Sequence, residues 1–159
     1  MHGTSRTLFA VSEIELTYRH KLKPEDRLKI YDASMAYNVF MTVWDMNKID
    51  LVEQCYLMLL DRNKACMGIS HISTGGVSSC IVDPKIIWGI ALKARANSVI
   101  LAHNHPSRNP EPSRADRQIT DKLCEGGKIL DIGFDDHLIV NPRDYYSFAN
   151  MGLIYNPTF

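Results

Sequence analysis

His103 and His105 stand two residues apart, and Ser113 and Asp116 follow within eleven positions of the second histidine. Two imidazoles and a carboxylate are three common zinc ligands, and three protein ligands with an open fourth position is the pattern of catalytic zinc. Side chains two apart on an extended chain point to the same side, so both imidazoles can face one point. Zinc lowers the pKa of a coordinated water from about 15.7 towards ~7. A nearby carboxylate is then needed to take the proton and deliver it to a leaving amine. A second reading stands beside this one. Ser113 followed three positions later by Asp116, ahead of a helical pattern, is a capping box and explains both residues without metal. An isolated His-x-His is also compatible with polar residues at a strand end. Residue types and spacing leave both readings open. They do not choose a base either: Glu13, Glu15, Glu25, Glu53, Glu111 and Glu125 are all candidates.

The flanking segments show how such a cluster is positioned. SVILA (98–102) is a short apolar run that predicts a buried strand ending at the histidines. Strand ends are where α/β proteins commonly place sites. Pro106 stops the extension, and a helix is predicted from about Arg114 to Glu125, with Gly126 and Gly127 as its stop. Upstream, VSEIELTYR (11–19) alternates and predicts a first strand. Pro24-Glu25-Asp26 opens a helix expected to reach about Trp44, with Leu28, Tyr31, Met35, Val39 and Val43 along one face. VEQCYLMLLD (52–61) predicts a central strand, and ACMGISHIS (65–73) its hairpin partner. VSSCIV (77–82) suggests a short extended piece. Asp83-Pro84 starts another helix, with Ile86, Ile87, Ile90, Ala91 and Ala94 on one side and an end near Asn97. ILDIGFDDHLIV (129–140) gives one or two strands, and a turn follows at Asn141-Pro142. The order β-α-β-β-α-β-α-β-β predicts one α/β (α+β) domain over 11–159, a mixed sheet flanked by about three helices. Residues 1–10 are expected to be disordered or vector-derived.

Composition narrows the class. The 159 residues are 45% hydrophobic, enough for the core of one ordinary domain. A formal net charge of zero argues against a strong electrostatic grip on nucleic acid or an anionic membrane. Cys55, Cys66, Cys80 and Cys124 form no CxxC pair, which disfavours a cysteine-based zinc knuckle, and they read as reduced thiols. No run approaches the ~20 apolar residues of a membrane span. The N-terminus has no charged-then-apolar signal pattern, so a cytoplasmic location is expected. Oligomeric state is left open.

Residues 103–116 read His-x-His, seven residues, Ser, two residues, Asp. This resembles the JAMM (MPN+) metalloprotease motif at every required position. SVILAHNHPSR…PSRAD is most similar to the RadC-like JAB-domain branch, where a buried strand runs into AHNHPSG. VSEIELTYR, LMLLDRN, STGGVSS, DPK, DDHLIV and YYSFANMGL extend the likeness over about residues 11–155. The resemblance implies an MPN/JAB (cytidine deaminase-like) fold and one zinc per chain, held by His103, His105 and Asp116. It also implies Ser113 as an oxyanion donor and Glu53, at the start of the central strand, as the base. A hydroxyl near a helix N-terminus suits developing negative charge. Arg108 stands where that branch usually has glycine, which bears on the loop and on substrate preference. Full-length RadC proteins usually carry an N-terminal helix-hairpin-helix DNA-binding domain, for which these residues leave no room.

The function so implied is zinc-dependent hydrolysis of an amide or isopeptide bond in a peptide, isopeptide conjugate or small amide. The alternative is a nucleic-acid-associated module of DNA repair or mobile elements, which the neutral charge does not favour. A non-haem iron facial triad uses similar ligands, but usually in a β-rich barrel. A silent scaffold has no chemical need for the full ligand set. His137, a polar insertion in an apolar strand, is read first as a satisfied structural residue and second as a partner of the site. His71 is read as facing solvent.

Overall fold

The computed structural model describes residues 23–76 and 81–154. The expected first strand at 11–19 lies outside the described residues, as does most of VSSCIV. Three helices, α1 (Ala33–Val43), α2 (Pro84–Ala94) and α3 (Arg114–Leu130), surround strands β1 (Gln54–Leu60), β2 (Cys66–Thr74), β3 (Ser98–Asn104), β4 (Gly133–Val140) and β5 (Tyr145–Ser147). The sheet order is β2-β1-β3-β4-β5. β3 and β4 run parallel and the other neighbours antiparallel, so the sheet is mixed.

Alternation along the strands divides the core in two. Tyr56, Met58 and Leu60 of β1 pack with Ile100 and Ala102 of β3 against Ala33, Ala36 and Phe40 of α1. Cys55, Leu57 and Leu59 pack with Val99 and Leu101 against Ile87, Trp88 and Ala91 of α2 and Leu123 of α3. Every residue of β1 and β3 is buried. Each large apolar side chain so buried contributes roughly 1.5–3 kcal/mol. Odd-numbered residues of β3 face α2 and α3, and this parity carries on to His103.

The first helix starts later than predicted. Pro24–Asp26 makes a single 3-10 turn. The chain then extends beside the start of β2, with Ile30 N–H donating to the Lys64 carbonyl and Cys66 N–H to that of Leu28, both at 2.8 Å. Asp32 caps the true start, its side chain accepting from Met35 N–H at 2.8 Å. The buried face is therefore Ala33, Ala36 and Phe40, whereas Leu28, Tyr31 and Val43 are exposed. α2 stops at Ala94, where Arg95 turns left-handed, slightly before the expected Asn97, and Ile86 is exposed.

The third helix runs through Gly126 and Gly127 instead of stopping there. Both glycines admit the Trp88 ring. A Cβ on Gly126 would lie 2.4 Å from Trp88 Nε1, and one on Gly127 would lie 2.6 Å from the Ile132 carbonyl oxygen. The helix ends at Asp131, which adopts φ 56°. Gly127→Ala is expected to lower stability by roughly 1–3 kcal/mol in denaturant unfolding, because the overpacked contact outweighs the helix-propensity gain of about 1 kcal/mol. Unchanged or raised stability would contradict this close packing.

Asp136 faces away from α2 and α3 and ties β4 to the chain after β5. Its carboxylate accepts from Ser147 Oγ, from Ala149 N–H and from His137 N–H. Burial pushes its pKa up and these bonds push it down, with a net rise from 3.8 to about 6. Between those values the folded protein holds a proton that the unfolded chain releases. Stability is therefore lost as pH rises from near 3.8 through about 6, by up to about 3 kcal/mol. Asp136→Asn removes the titration, so its stability relative to wild type should improve as pH rises through this window. Parallel pH–stability curves for the two proteins would contradict the account.

Candidate metal centre

β3 delivers His103 on the face beneath α3, and His105 follows one residue past the strand. His105 Nδ1 lies 2.7 Å from the Asn109 carbonyl. A carbonyl only accepts, so Nδ1 carries the hydrogen and Nε2 of the neutral ring keeps its lone pair. Ser113 caps α3, with its Oγ accepting from Asp116 N–H at 3.1 Å and its N–H donating to Asp116 Oδ2 at 2.7 Å. The capping box is real, and it orients the carboxylate that faces the histidines.

Asp116 Oδ1 is 3.2 Å from His103 Nε2, Asp116 Oδ2 is 3.4 Å from His105 Nε2, and the two Nε2 atoms are 3.0 Å apart. Ligands around tetrahedral zinc at about 2.0–2.1 Å are separated by roughly 3.3–3.4 Å. Each histidine nitrogen thus lies near an edge length of such a site from the other nitrogen and from one oxygen of the Asp116 carboxylate, before any ion is considered. The donor set fits a cation: the His105 lone pair and the carboxylate meet at one point, where a positive charge relieves their repulsion. Among the described residues, His103, His105 and Asp116 form a group suited to holding a metal ion. Burial alone would raise the Asp116 pKa, but the facing His103 and His105 imidazoles, which donate to the carboxylate when protonated, overcome it and keep the carboxyl well below its usual range. The hydrogen bond that protonated His105 would donate to Asp116 raises its pKa against the opposing effect of burial.

Behind the ligands, His103 Nδ1 is 2.8 Å from His137 Nε2, and His137 Nδ1 is 2.6 Å from Thr120 Oγ1. Thr120 donates its hydroxyl hydrogen to the Asp116 carbonyl at 2.7 Å. Burial, reinforced by the neighbouring His103, holds the His137 pKa well below the ordinary imidazole value. His137 is thus a satisfied buried histidine and also a direct partner of a candidate ligand.

Antiparallel pairing of β1 with β3 puts the start of β1 beside the end of β3, with Cys55 opposite His103. Glu53, just before β1, lines a cavity of about 170 Å³ with His103, Asp116, His137, Val82, Ala115 and Ile119. Asn104, fully buried between the two histidines, brackets Glu53. Its Oδ1 accepts from Gln54 N–H at 2.7 Å, and its Nδ2 donates to the carbonyls of Ile49 at 2.6 Å and Val52 at 2.9 Å. Ser113 is exposed at the start of α3 and does not line this cavity. Of the other candidate bases, Glu25 in the 3-10 turn, Glu111 in the loop before α3 and Glu125 late in α3 do not line this cavity, and Glu13 and Glu15 lie outside the described residues.

Residues 30–153 match the family described as the RadC-like JAB domain. The chain belongs to that family. It is 32% identical over 151 residues to a UPF0758 protein of Flavobacterium johnsoniae, covering 95% of this chain and 65% of that one. It is 33% identical to one from Chlorobaculum parvum, over 96% of this chain and 67% of the relative. A UPF0758 protein of Syntrophomonas wolfei is 42% identical over 102 residues, 64% of this chain and 43% of the relative. The chain therefore spans between about two fifths and two thirds of these relatives' lengths.

In this RadC-like JAB domain, Arg108 adopts φ 60°, a conformation that any Cβ disfavours. That is a physical reason for glycine at the position. Here the guanidinium pairs through Nε with Asp50 at 2.8 Å and also through Nη2, while Asn141 Nδ2 reaches the Arg108 carbonyl. The added charge is therefore neutralised against the loop leading to Glu53. His71 is exposed and bonds Thr74 at 2.8 Å, away from the cavity. Cys55 is buried, and Cys66 and Cys124 are partly buried free thiols. No helix among the described residues is long and apolar enough to cross a membrane. Sequence patterns do not single out Asn104 or Thr120. The available signals are a buried amide between two histidines and a hydroxyl one helical turn after Asp116.

Proposed function

We propose that this RadC-like JAB domain is a zinc-dependent hydrolase of amide or isopeptide bonds. The reading is carried by two imidazole nitrogens and the Asp116 carboxylate converging, each nitrogen near a tetrahedral edge distance from the other and from one carboxylate oxygen, beside a cavity that Glu53 also lines. His103, His105 and Asp116 would hold one zinc, which supplies Lewis acidity and an acidified water. Glu53 takes the proton from the attacking water and returns it to the leaving amine. Asn104 holds the backbone on both sides of Glu53, so the carboxylate stays at the cavity wall. Ser113 uses an acceptor lone pair for its cap, which leaves its hydroxyl hydrogen for a developing oxyanion. The substrate class is a peptide, an isopeptide conjugate or a small amide.

The test is a screen of the zinc-loaded protein against these three classes, read by mass spectrometry. Cleavage that a chelator abolishes and added zinc restores is the expected result. No cleavage in any class, together with DNA binding that weakens steeply with salt, would overturn the reading in favour of a nucleic-acid accessory role.

A further inference from the structure

A chain of hydrogen bonds runs behind His103, and counting hydrogens gives it a direction. Thr120 has one hydroxyl hydrogen, and the Asp116 carbonyl, which only accepts, takes it at 2.7 Å. Thr120 Oγ1 can therefore only accept from His137, so His137 Nδ1 carries a hydrogen. His137 is 1% exposed and its ring nitrogens have no carboxylate among their hydrogen-bond partners, so the neutral ring with one N–H is favoured. Its Nε2 is then an acceptor, and the hydrogen between it and His103 belongs to His103 Nδ1. A neutral His103 is left with a bare Nε2, aimed at Asp116 Oδ1 and His105 Nε2.

We propose that Thr120 and His137 are positioning residues that fix the tautomer of His103, so that its Nε2 lone pair faces the metal point. The proposal rests on the metal-site reading above. The chain begins and ends on one residue: the Asp116 backbone anchors Thr120 one helical turn on, and the Asp116 carboxylate is the third ligand. His105 reaches the same tautomer separately through Asn109. The alternative is that Thr120 and His137 only satisfy each other's buried polar atoms. Removing either would then affect stability without changing the His103 tautomer or zinc affinity.

Two readouts separate these accounts. In metal-free wild type at alkaline pH, long-range nitrogen–proton NMR should show His103 with its hydrogen on Nδ1. A hydrogen on Nε2 would overturn the proposal. Thr120→Val keeps the shape but removes the acceptor, freeing His137 to place its hydrogen on Nε2 and displace that of His103. Zinc affinity by chelator competition should fall about 10-fold, and Thr120→Ser should bind like wild type. His137→Phe should cost up to about 100-fold and move the His103 hydrogen to Nε2, where Asp116 Oδ1 accepts it. Wild-type affinity in folded Thr120→Val would also overturn the proposal. If His137→Phe does not fold, the threonine pair and the wild-type spectrum still decide. If wild type binds no zinc, the metal reading fails, while the spectrum still reports on the tautomer.

Discussion

Glu53→Gln should retain one zinc per chain and lose hydrolysis by roughly 10²–10⁴-fold, the usual worth of a positioned acid–base group. Glutamine keeps the length and planar end of the side chain but takes no proton at neutral pH. The backbone around it should not move. Gln54 N–H is held by Asn104, Glu53 N–H donates to the Gly76 carbonyl at 3.1 Å, and Gly75 N–H donates to the Glu53 carbonyl at 2.8 Å. Glu53 supplies none of the three grouped ligand atoms, so metal content and catalysis should separate cleanly. The assay compares zinc content and turnover of the two proteins on whichever amide class wild type cleaves. Wild-type turnover in the variant would move the base elsewhere.

The second large effect concerns Asp116, which is both a helix-cap partner and a candidate ligand. Asp116→Asn keeps an oxygen that can accept from Ser113 N–H but removes the negative charge facing the imidazoles. Its helix should persist while zinc affinity falls by more than about 100-fold, beyond the usual cost of losing a partner behind a ligand. Asp116→Ala should lose the metal and, in addition, about 1 kcal/mol of stability with its half of the capping box. Zinc titration beside thermal unfolding checks both variants. Stoichiometric, tight zinc in either one would leave Asp116 with the capping role alone.

The legible parts of this fold were those where local pattern and tertiary environment agree. β1 and β3 are continuous apolar runs because both faces of the sheet are covered, by α1 on one side and α2 and α3 on the other. The start of α3 could be read from Ser113 and Asp116, since a cap is a local device. The misplaced boundaries depended on distant residues. Gly126 and Gly127 look like a helix stop, yet they serve contact with Trp88, nearly forty positions earlier. Pro24 looks like a helix start, yet pairing with the Lys64–Cys66 segment draws residues 28–30 into an extended path. The same held at the site. His103, His105 and Asp116 are close enough in sequence to be grouped by spacing, and the structure brings them together. Spacing left the base open, because only the antiparallel register of β1 on β3 brings Glu53 to the cavity. His137 showed as an odd polar residue in an apolar strand, but its contact with His103 depends on the parallel pairing of β3 and β4.

The most direct test of the central claim is the metal content of the purified protein. It is measured by elemental mass spectrometry after zinc is added and the excess removed, beside a His103→Ala/His105→Ala control. The account predicts about one zinc per wild-type chain and none in the control. No zinc in either protein would reduce residues 103–116 to a strand end and a capped helix, and the proposed hydrolase would fall with the site.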